Sequence, residues 1–320
     1  MRMKRTAFIV GAACVLAGVL AAAQTQQTPA GRGAGRQGQR REPDPRSRGG
    51  GDCRDNPYNC ADAPNPLPAV STVWLEEMTW MDVRDAMKAG KTTVIISTGG
   101  IEPNGPWLAL GKHNYVLRAN CDAIARKLGN ALCAPIIPLV PEGGIEPTSG
   151  HMVTVGTLSM REETFQAVLT DVVSSLKAHG FQNVIMIGDS GGNQAGQKAV
   201  AEKLNAQWNG NPVVAHIPEY YDYASVHRML VETGVSKEGD KSDGLHDDPA
   251  IAMNMFITDP SSIRWAERVK AGKATINGVS LADKPKTTET AKKIVEFRAT
   301  KTVAAIQKAI ANKGRAATSQ

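Results

Sequence analysis

The sequence predicts an α/β fold, a three-layer α/β/α sandwich with a mostly parallel sheet. Short apolar runs alternate along the chain with longer segments of helical periodicity, which is the order expected of parallel strands joined by helices. One of these runs, Thr92 to Thr98, contains Val94-Ile95-Ile96 without polar alternation. Such a run is typical of a strand covered on both faces, so we expect helices on both sides of the sheet.

The predicted elements follow one another in a regular order. They are a helix near 81–89, a strand at Val94, a helix over 115–128, a strand near 134–140, a helix over 161–179, a strand over 184–187, a helix to about Trp208 and a strand over 213–217. The C-terminal third is helical, and 288–311 is its longest periodic segment. A chain of about 250 residues can bury one large core, so we expect a single folded domain over residues 69–320.

The N-terminus has the pattern of a secretory signal peptide over residues 1–23. Basic residues within 2–5 precede the apolar run 7–22, and the alanines up to Ala23 form a small-residue cleavage site. Because the apolar run is short, we expect cleavage near Ala23, no stable membrane anchor, and a secreted or periplasmic protein. Residues 24–68 are rich in Gly, Gln, Arg and Pro and are predicted to form a disordered arm.

The basic charge of the chain lies mostly outside the predicted domain. The formal net charge is +6, of which residues 2–5 contribute +3 and residues 24–51 contribute +4, so the chain from Asp52 onward carries −1. A nearly neutral domain offers no extended basic surface, and we therefore predict no nucleic-acid partner.

The cysteines predict one disulfide. Cys53 and Cys60 flank a turn-rich segment, and in an exported protein this pair is expected to form a local bridge. Cys121 lies in a helical pattern and Cys133 in the next apolar run, so both are predicted to be buried free thiols.

The segment Ile101–His113 follows the first strand and carries a carboxylate and an imidazole. Ligands in open α/β sheets collect at the carboxyl ends of the strands, so Glu102 and His113 are candidate metal ligands. Glycines and prolines between them favour tight turns. The same residues also fit a structural interpretation, in which Glu102 caps a turn and His113 opens the next helix.

Four segments, taken in order, resemble the creatininase (creatinine amidohydrolase) family. Ile101–His113, with the end of the preceding strand, is similar to Gly-x-x-Glu-x-His-Gly-x-His-Leu-Pro-x-x-Thr-Asp, which in that family supplies ligands to a two-metal site. Gly150–Thr157 is similar to Glu-His-x-x-Phe-Pro-Gly-Thr, Gly188–Asn193 to Asn-Gly-His-Gly-Gly-Asn, and Gly244–Asp248 to a His-Ala-Gly segment with a catalytic histidine. The resemblance covers roughly residues 74–311 and implies a creatininase-like catalytic domain.

The resemblance also shows replacements at the site. Glu102 retains the family's glutamate, but Asn104 stands for a histidine ligand, His113 for an aspartate ligand and Ser190 for the histidine of the Gly-His-Gly segment. The glutamates that normally follow the His-Ala-Gly segment are missing as well. The usual set of metal ligands is therefore not intact.

Two interpretations of this loss are open. In the first, a divalent ion (Zn, Mn or Fe) is held by Glu102, His113 and Asp189, with His246 either as a further ligand or as a catalytic residue, and His151 lines the pocket. In the second, the metal is gone, and the pocket binds a ligand or uses His246 and acidic neighbours as general acid and base.

A third interpretation rests on Ser190. The segment 188–192 satisfies the Gly-x-Ser-x-Gly pattern of serine hydrolases, with His246 and an acid from 247–248 as partners, although that acid follows the histidine in the chain instead of preceding it. The structural interpretation is that the glycines let the chain turn into a helix near Asn193, capped by Asp189 or Ser190.

Together with the resemblance, the sequence predicts a metal-dependent amidohydrolase, a hydrolase acting on a non-peptide C–N bond of a cyclic or linear amide through a metal-activated water. The alternatives are a metal-free ligand-binding protein or pseudoenzyme on the same fold, and a serine hydrolase that uses Ser190. The expected partner is a small-molecule substrate, and the resemblance implies a homo-oligomer, commonly a hexamer.

Overall fold

The structure, a computed structural model, describes residues 41–48, 50–237 and 245–314. The predicted signal peptide and residues 24–40 of the predicted arm lie outside the described residues. The chain divides into two compact units between Ala63 and Pro64. Within the described ranges, no helix combines the length and the apolar character needed to cross a membrane.

The first unit differs from the disordered arm predicted for residues 24–68. Its described part contains the expected Cys53–Cys60 disulfide and an antiparallel bridge between Ser47 and Cys60. Asp52 accepts hydrogen bonds from the guanidinium of Arg54. A disulfide and local ion pairs order a segment that has few apolar side chains to bury, which composition alone does not predict.

The second unit contains a four-stranded parallel sheet in the order β2-β1-β3-β4. The strands are β1 (Thr93–Thr98), β2 (Ala131–Cys133), β3 (Asn183–Gly188) and β4 (Val213–His216). β1 and β3 pair along their whole length, from Thr93 with Asn183 to Thr98 with Gly188. A separate antiparallel ladder joins β5 (Thr275–Ile276) and β6 (Val279–Ser280).

Helices cover both faces of this sheet. They are α1 (Trp80–Lys88), α2 (Lys112–Leu128), α3 (Glu162–Ala178), α4 (Gln194–Trp208), α5 (Tyr223–Glu232), α6 (Pro249–Thr258), α7 (Trp265–Lys270) and α8 (Lys284–Ala311). Alternate residues of each strand point to opposite faces. Accordingly, Ile95 and Ile185 pack against α2 and α8, whereas Val94 and Val184 pack against α3 and α4. The predicted three-layer α/β fold is confirmed.

The helix boundaries follow recognisable capping signals. Thr79 and Asp82 form a capping box at the start of α1. Asp248 caps α6, whose first residue is Pro249, and Asp283 caps α8. The longest predicted helix is confirmed, with its start at Lys284, and the other predicted helices lie within a few residues of their expected bounds.

The second strand lies earlier in the chain than predicted. The sequence indicated a strand near 134–140, but β2 ends at Cys133. Pro135 and Pro138 have no backbone N–H to donate, so a regular ladder cannot continue through them. Beyond β2 the chain still pairs once with β1, in an isolated parallel bridge between Thr98 and Ile137.

The prediction of free thiols at Cys121 and Cys133 is wrong. Both side chains are fully buried, as expected, but the structure joins them in a disulfide. Cys121 lies on α2 and Cys133 at the end of β2, and these two elements pack against each other in one core cluster. Their proximity comes from this packing and not from any local pattern around either residue.

Candidate metal centre

Polar side chains collect at the carboxyl ends of β1 and β3. Asp189 directly follows β3, Glu102 lies four residues after the end of β1, and Lys112 and His113 open α2. This is the edge at which open parallel sheets place their ligand sites. A cavity of about 640 Å³ opens here, and Glu102, His113 and Asp189 all line it.

Glu102 is the centre of this cavity. Its Oε1 lies 2.5 Å from Nζ of Lys112, 3.1 Å from Nε2 of His113 and 3.1 Å from Nδ1 of His246. Its Oε2 lies 3.2 Å from Nδ1 of His151. Burial alone would raise the pKa of Glu102, but His113 and Lys112 outweigh it and hold that pKa below its ordinary value. Glu102 is therefore an ionised carboxylate inside the protein.

Two histidines form a wall beside Glu102. The rings of His151 and His246 are parallel, with an interplanar angle of 1° and centroids 5.7 Å apart. Both side chains are more than a third exposed, at 38% and 37%, so they face the open side of the cavity. Burial, followed by the positive charge of Lys112, lowers the pKa of His246, which is therefore neutral at pH 7.

His246 is held in place by contacts around an unusual backbone segment. Leu245 and His246 have φ values of 38° and 63°, in the left-handed region that few non-glycine residues adopt. Gly105 donates a backbone hydrogen bond to Leu245 O, and a Cβ at Gly105 would lie 3.1 Å from Cβ of Asp247. Asp247 in turn binds the buried guanidinium of Arg268 at 2.7 Å.

Asp189 orients the imidazole of His113 through its Nδ1 atom. Nδ1 of His113 lies 2.9 Å from Oδ2 of Asp189, and Tyr223 and Arg298 also donate hydrogen bonds to this carboxylate. Asp189 is fully buried; burial would raise its pKa, but Arg298 and His113 more than compensate and lower it. Burial would lower the pKa of His113, but Asp189 and Glu102 outweigh it and raise that pKa. Because an ionised Asp189 accepts the Nδ1 proton, Nε2 is the nitrogen that would give up its proton to a bound ion.

Glu142 is the third acidic group of the cavity. Ser190 donates a hydrogen bond to its Oε2 at 3.3 Å. Burial and then the negative charge of Glu102 raise the pKa of Glu142 to about 8. Its Oε1 packs against Gly100, whose φ is 157° and where an added Cβ would lie 2.0 Å from that oxygen. Glycine at 100 therefore makes room for the carboxylate.

Glu102, His113 and Glu142 could hold a metal ion. One ligand atom from each lies within 4.8 Å of the others, and all three residues are buried. Within the described chain, Nε2 of His113, Oε1 of Glu142 and Nδ1 of His151 are buried without a hydrogen-bond partner. Buried polar atoms are rarely left unpaired, and a nitrogen and carboxylate oxygens suit Zn or Mn. The donor set fits a divalent ion.

The predicted site residues all lie in or beside this cavity. Glu102, His113, His151, Asp189, Ser190 and His246 all line it. Asp189 contacts the back of His113 instead of converging with Glu102 and Glu142. Ser190 accepts a hydrogen bond from Gly192 N at the turn before α4, as the capping interpretation predicted, and no histidine in the described part of the chain hydrogen-bonds to it.

Asn104, at the position of a histidine in the family motif, shapes the loop. Its Nδ2 donates to the backbone oxygens of Glu102 and Ala109, both at 3.0 Å, and its Oδ1 lies 3.2 Å from Nδ1 of His246. Its side chain is therefore engaged within the loop and with His246.

The sequence analysis missed Glu142, Lys112 and Arg298. Glu142 follows an apolar run and precedes two glycines, and Glu102 likewise follows an apolar run and lies close to glycines, so a local signal was present. Lys112 adjoins His113, but a lysine at a helix start is usually solvated. Arg298 lies within the periodic pattern of α8, where nothing distinguishes it from an exposed arginine.

Comparisons with known proteins agree with this geometry. The profile of the creatininase family, described as creatinine amidohydrolase, matches residues 76–320. No curated protein matched the sequence.

Several solved structures share the fold. A glutamate-to-glutamine mutant of creatininase, described as Zn-Zn type, has 16% identity and a TM-score of 0.54, covering 75% of this chain and 99% of its own. A structure described as creatininase Mn gives the same values. A crystal structure of creatinine amidohydrolase has 17% identity and a TM-score of 0.52, covering 77% of this chain and 100% of its own. The family profile spans more than half of the chain, and the chain therefore belongs to the creatininase family.

Proposed function

We propose that this protein is a metal-dependent amidohydrolase that cleaves the C–N bond of a small cyclic or linear amide. The observation that carries the proposal is the convergence of the buried residues Glu102, His113 and Glu142. Of their ligand atoms, Nε2 of His113 and Oε1 of Glu142 have no hydrogen-bond partner. Relatives whose structures are described as Zn-Zn type and as creatininase Mn share the fold and support a divalent ion. Such an ion, when bound, polarises a carbonyl and lowers the pKa of a bound water.

The other steps of the reaction are assigned to protein side chains. Asp189 keeps the proton on Nδ1 of His113 and thereby leaves Nε2 free as a ligand. Nδ1 of His246 faces two acceptors, Oε1 of Glu102 and Oδ1 of Asn104, so Nδ1 carries the proton and Nε2 is the basic nitrogen. A neutral, half-exposed imidazole is suited to take a proton from the attacking water and return it to the leaving nitrogen. His246 is therefore assigned as the general acid and base.

The substrate must be small. The cavity of about 640 Å³ has the size of an ordinary small-molecule site. His151 and His246 form one wall, and the carboxylates of Glu102 and Glu142 also line the cavity. The signal-peptide pattern at the N-terminus supports export of the mature protein. The family resemblance supports a homo-oligomer, with the hexamer as the expected form.

The test is hydrolysis by metal-depleted and metal-restored protein. Mature protein is dialysed against a chelator, and a panel of cyclic and linear amides is assayed before and after addition of Zn or Mn. We expect turnover only after restoration, with a loss of at least about 100-fold in His246→Asn, since general acid–base groups contribute 10²–10⁴-fold. Amide hydrolysis that persists in the chelator, or no hydrolysis in restored protein, contradicts the proposal.

One observation favours a second candidate, a metal-free binding protein on the same fold. Nζ of Lys112 already neutralises Glu102 at 2.5 Å, which a protein without a metal would require. Such a protein binds a small ligand in this cavity and retains no stoichiometric metal after dialysis in metal-replete buffer. Metal content therefore separates the two candidates before any substrate is known.

A further inference from the structure

Lys112 stands out among the groups that surround Glu102. It is the first residue of α2, and only 3% of its side chain is exposed. Its ammonium contacts Oε1 of Glu102, the same oxygen that faces His113 and His246. The family motif that this segment resembles has threonine at this position. The chain has thus placed a basic side chain against the central carboxylate of the cavity, where the family motif has a neutral one.

The remaining carboxylates can balance one divalent ion beside this ammonium, but not two. Asp189 is paired with the buried guanidinium of Arg298 at 2.9 Å. Asp248, which also lines the cavity, lies 2.9 Å from Nε2 of His227. Glu102 and Glu142 are then the two carboxylates left to face the cavity centre. Two divalent ions plus the ammonium would carry a charge of +5 against these two carboxylates, at separations where like charges repel strongly in a buried site.

Residues that could have held a second ion are engaged elsewhere. Nδ2 of Asn104 donates two hydrogen bonds, and both go to backbone oxygens of its own loop. Ser190 donates to Glu142 and accepts from Gly192 N. Among the described residues, one group of three acidic or histidine side chains brings its ligand atoms within 4.8 Å of one another, that of Glu102, His113 and Glu142. Nδ1 of His151, which also lacks a hydrogen-bond partner, is not part of this group.

We propose that the ammonium of Lys112 takes the place of one ion of a two-metal site, so that this cavity holds one divalent ion on Glu102, His113 and Glu142. The proposal rests on the proposed function, since it assumes that an ion binds at all. It adds that Lys112 and the ion share one carboxylate, Glu102. Lys112 therefore sets both the number of ions and the affinity for the one that binds.

The experiment measures zinc stoichiometry and affinity of the mature protein, by equilibrium dialysis with elemental analysis and by competition with a chromophoric chelator. We compare wild type with Lys112→Met, which removes the charge at similar volume, and Lys112→Arg, which retains it. Lys301→Met is the matched control, because Nζ of Lys301 binds Asp222 outside the cavity. Circular dichroism verifies that each variant is folded.

We expect one zinc ion per wild-type chain. Lys112→Met should bind zinc at least about tenfold more tightly, because Glu102 no longer shares its charge with an ammonium, while Lys112→Arg and Lys301→Met stay close to wild type. Two ions per wild-type chain overturn this inference and leave the proposed function standing. Unchanged or weaker binding in Lys112→Met also overturns it. No zinc in the wild type overturns the proposed function, and this inference with it.

Discussion

Nδ1 of His113 lies 2.9 Å from Oδ2 of Asp189, and this contact connects the end of β3 to the first turn of α2. Both residues are buried, and Asp189 is held in turn by Arg298 from α8. The sheet, the helix that follows β1 and the last helix of the chain thus fix one imidazole. Because the proton stays on Nδ1, the ring presents Nε2 to Glu102 and Glu142.

Replacement of Asp189 by asparagine should weaken metal binding while the ligands themselves remain. An asparagine amide can donate to Nδ1, which moves the imidazole proton to Nε2 and blocks the ligating atom. We expect zinc affinity to fall about 10–100-fold, as is usual when such a supporting partner is lost. Chelator competition measures the change, and Asp171→Asn, an exposed aspartate of α3, is the control. Equal affinities in Asp189→Asn and wild type would show that Asp189 does not orient His113.

Replacement of Arg298 by methionine should destabilise the fold. Arg298 is buried between the rings of Tyr220 and Tyr223, at 4.3 and 4.6 Å, and pairs with Asp189. Its loss leaves a buried carboxylate without its cation, which typically costs about 3–5 kcal/mol of unfolding free energy. Urea unfolding measures this. Lys293→Met, which breaks an exposed ion pair of the same helix, should cost less than about 1 kcal/mol; similar losses in both variants would contradict the assigned role.

The stability of the metal-free protein should fall as the pH rises. Burial and Glu102 raise the pKa of Glu142 from 4.5 to about 8. Between these values the folded state keeps a proton that the unfolded state has lost, so the unfolding free energy decreases with pH, by about 1.4 kcal/mol for each unit of pKa difference. Urea unfolding in a chelator at pH 5, 7 and 9 measures the slope.

The matched variants for this pH dependence are both glutamines. Glu142→Gln should show a smaller decline between pH 5 and 9, to which His113 and His227, whose pKa values are also raised, still contribute. Glu163→Gln, on the exposed side of α3, should keep the wild-type decline. Parallel pH profiles for wild type and Glu142→Gln would mean that the raised pKa of Glu142 is not what makes stability depend on pH.

Ser190 should not behave as a nucleophile. Its Oγ is buried, donates to Glu142 and accepts from Gly192 N, and it has no histidine partner among the described residues. An activated serine needs a base within hydrogen-bond reach. We expect no labelling of the mature protein by an organophosphonate probe, measured by mass spectrometry. Labelling at Ser190, abolished in Ser190→Ala, would revive the serine-hydrolase alternative.

The parts of the fold and site that could be predicted from the sequence each carry a recognisable pattern within one short segment. The apolar run in β1 and the periodicity of α8 predicted elements close to those observed, because burial fixes both patterns. Glu102, His113, His151 and His246 were found through motifs in three of the four segments. Their convergence on one carboxylate follows from the parallel sheet, which brings the loops after its strands to one edge.

The parts that the sequence did not predict depend on contacts between distant segments. The Cys121–Cys133 disulfide requires α2 to pack on β2. Glu142 joins the site because its loop passes over Gly100, and Arg298 does so because α8 packs near the end of β3. In each of these pairs, the sequence of one segment contains no signal of its contact with the other, so periodicity within a single sequence cannot find them.

The most direct test of the central claim is anomalous diffraction from zinc-loaded crystals of the mature protein, recorded on both sides of the zinc absorption edge. We expect one edge-dependent peak per chain, about 2.0–2.2 Å from Nε2 of His113 and from a carboxylate oxygen of Glu102 and of Glu142. A peak elsewhere, or none at saturating zinc, would contradict the assignment of these three residues as the metal centre.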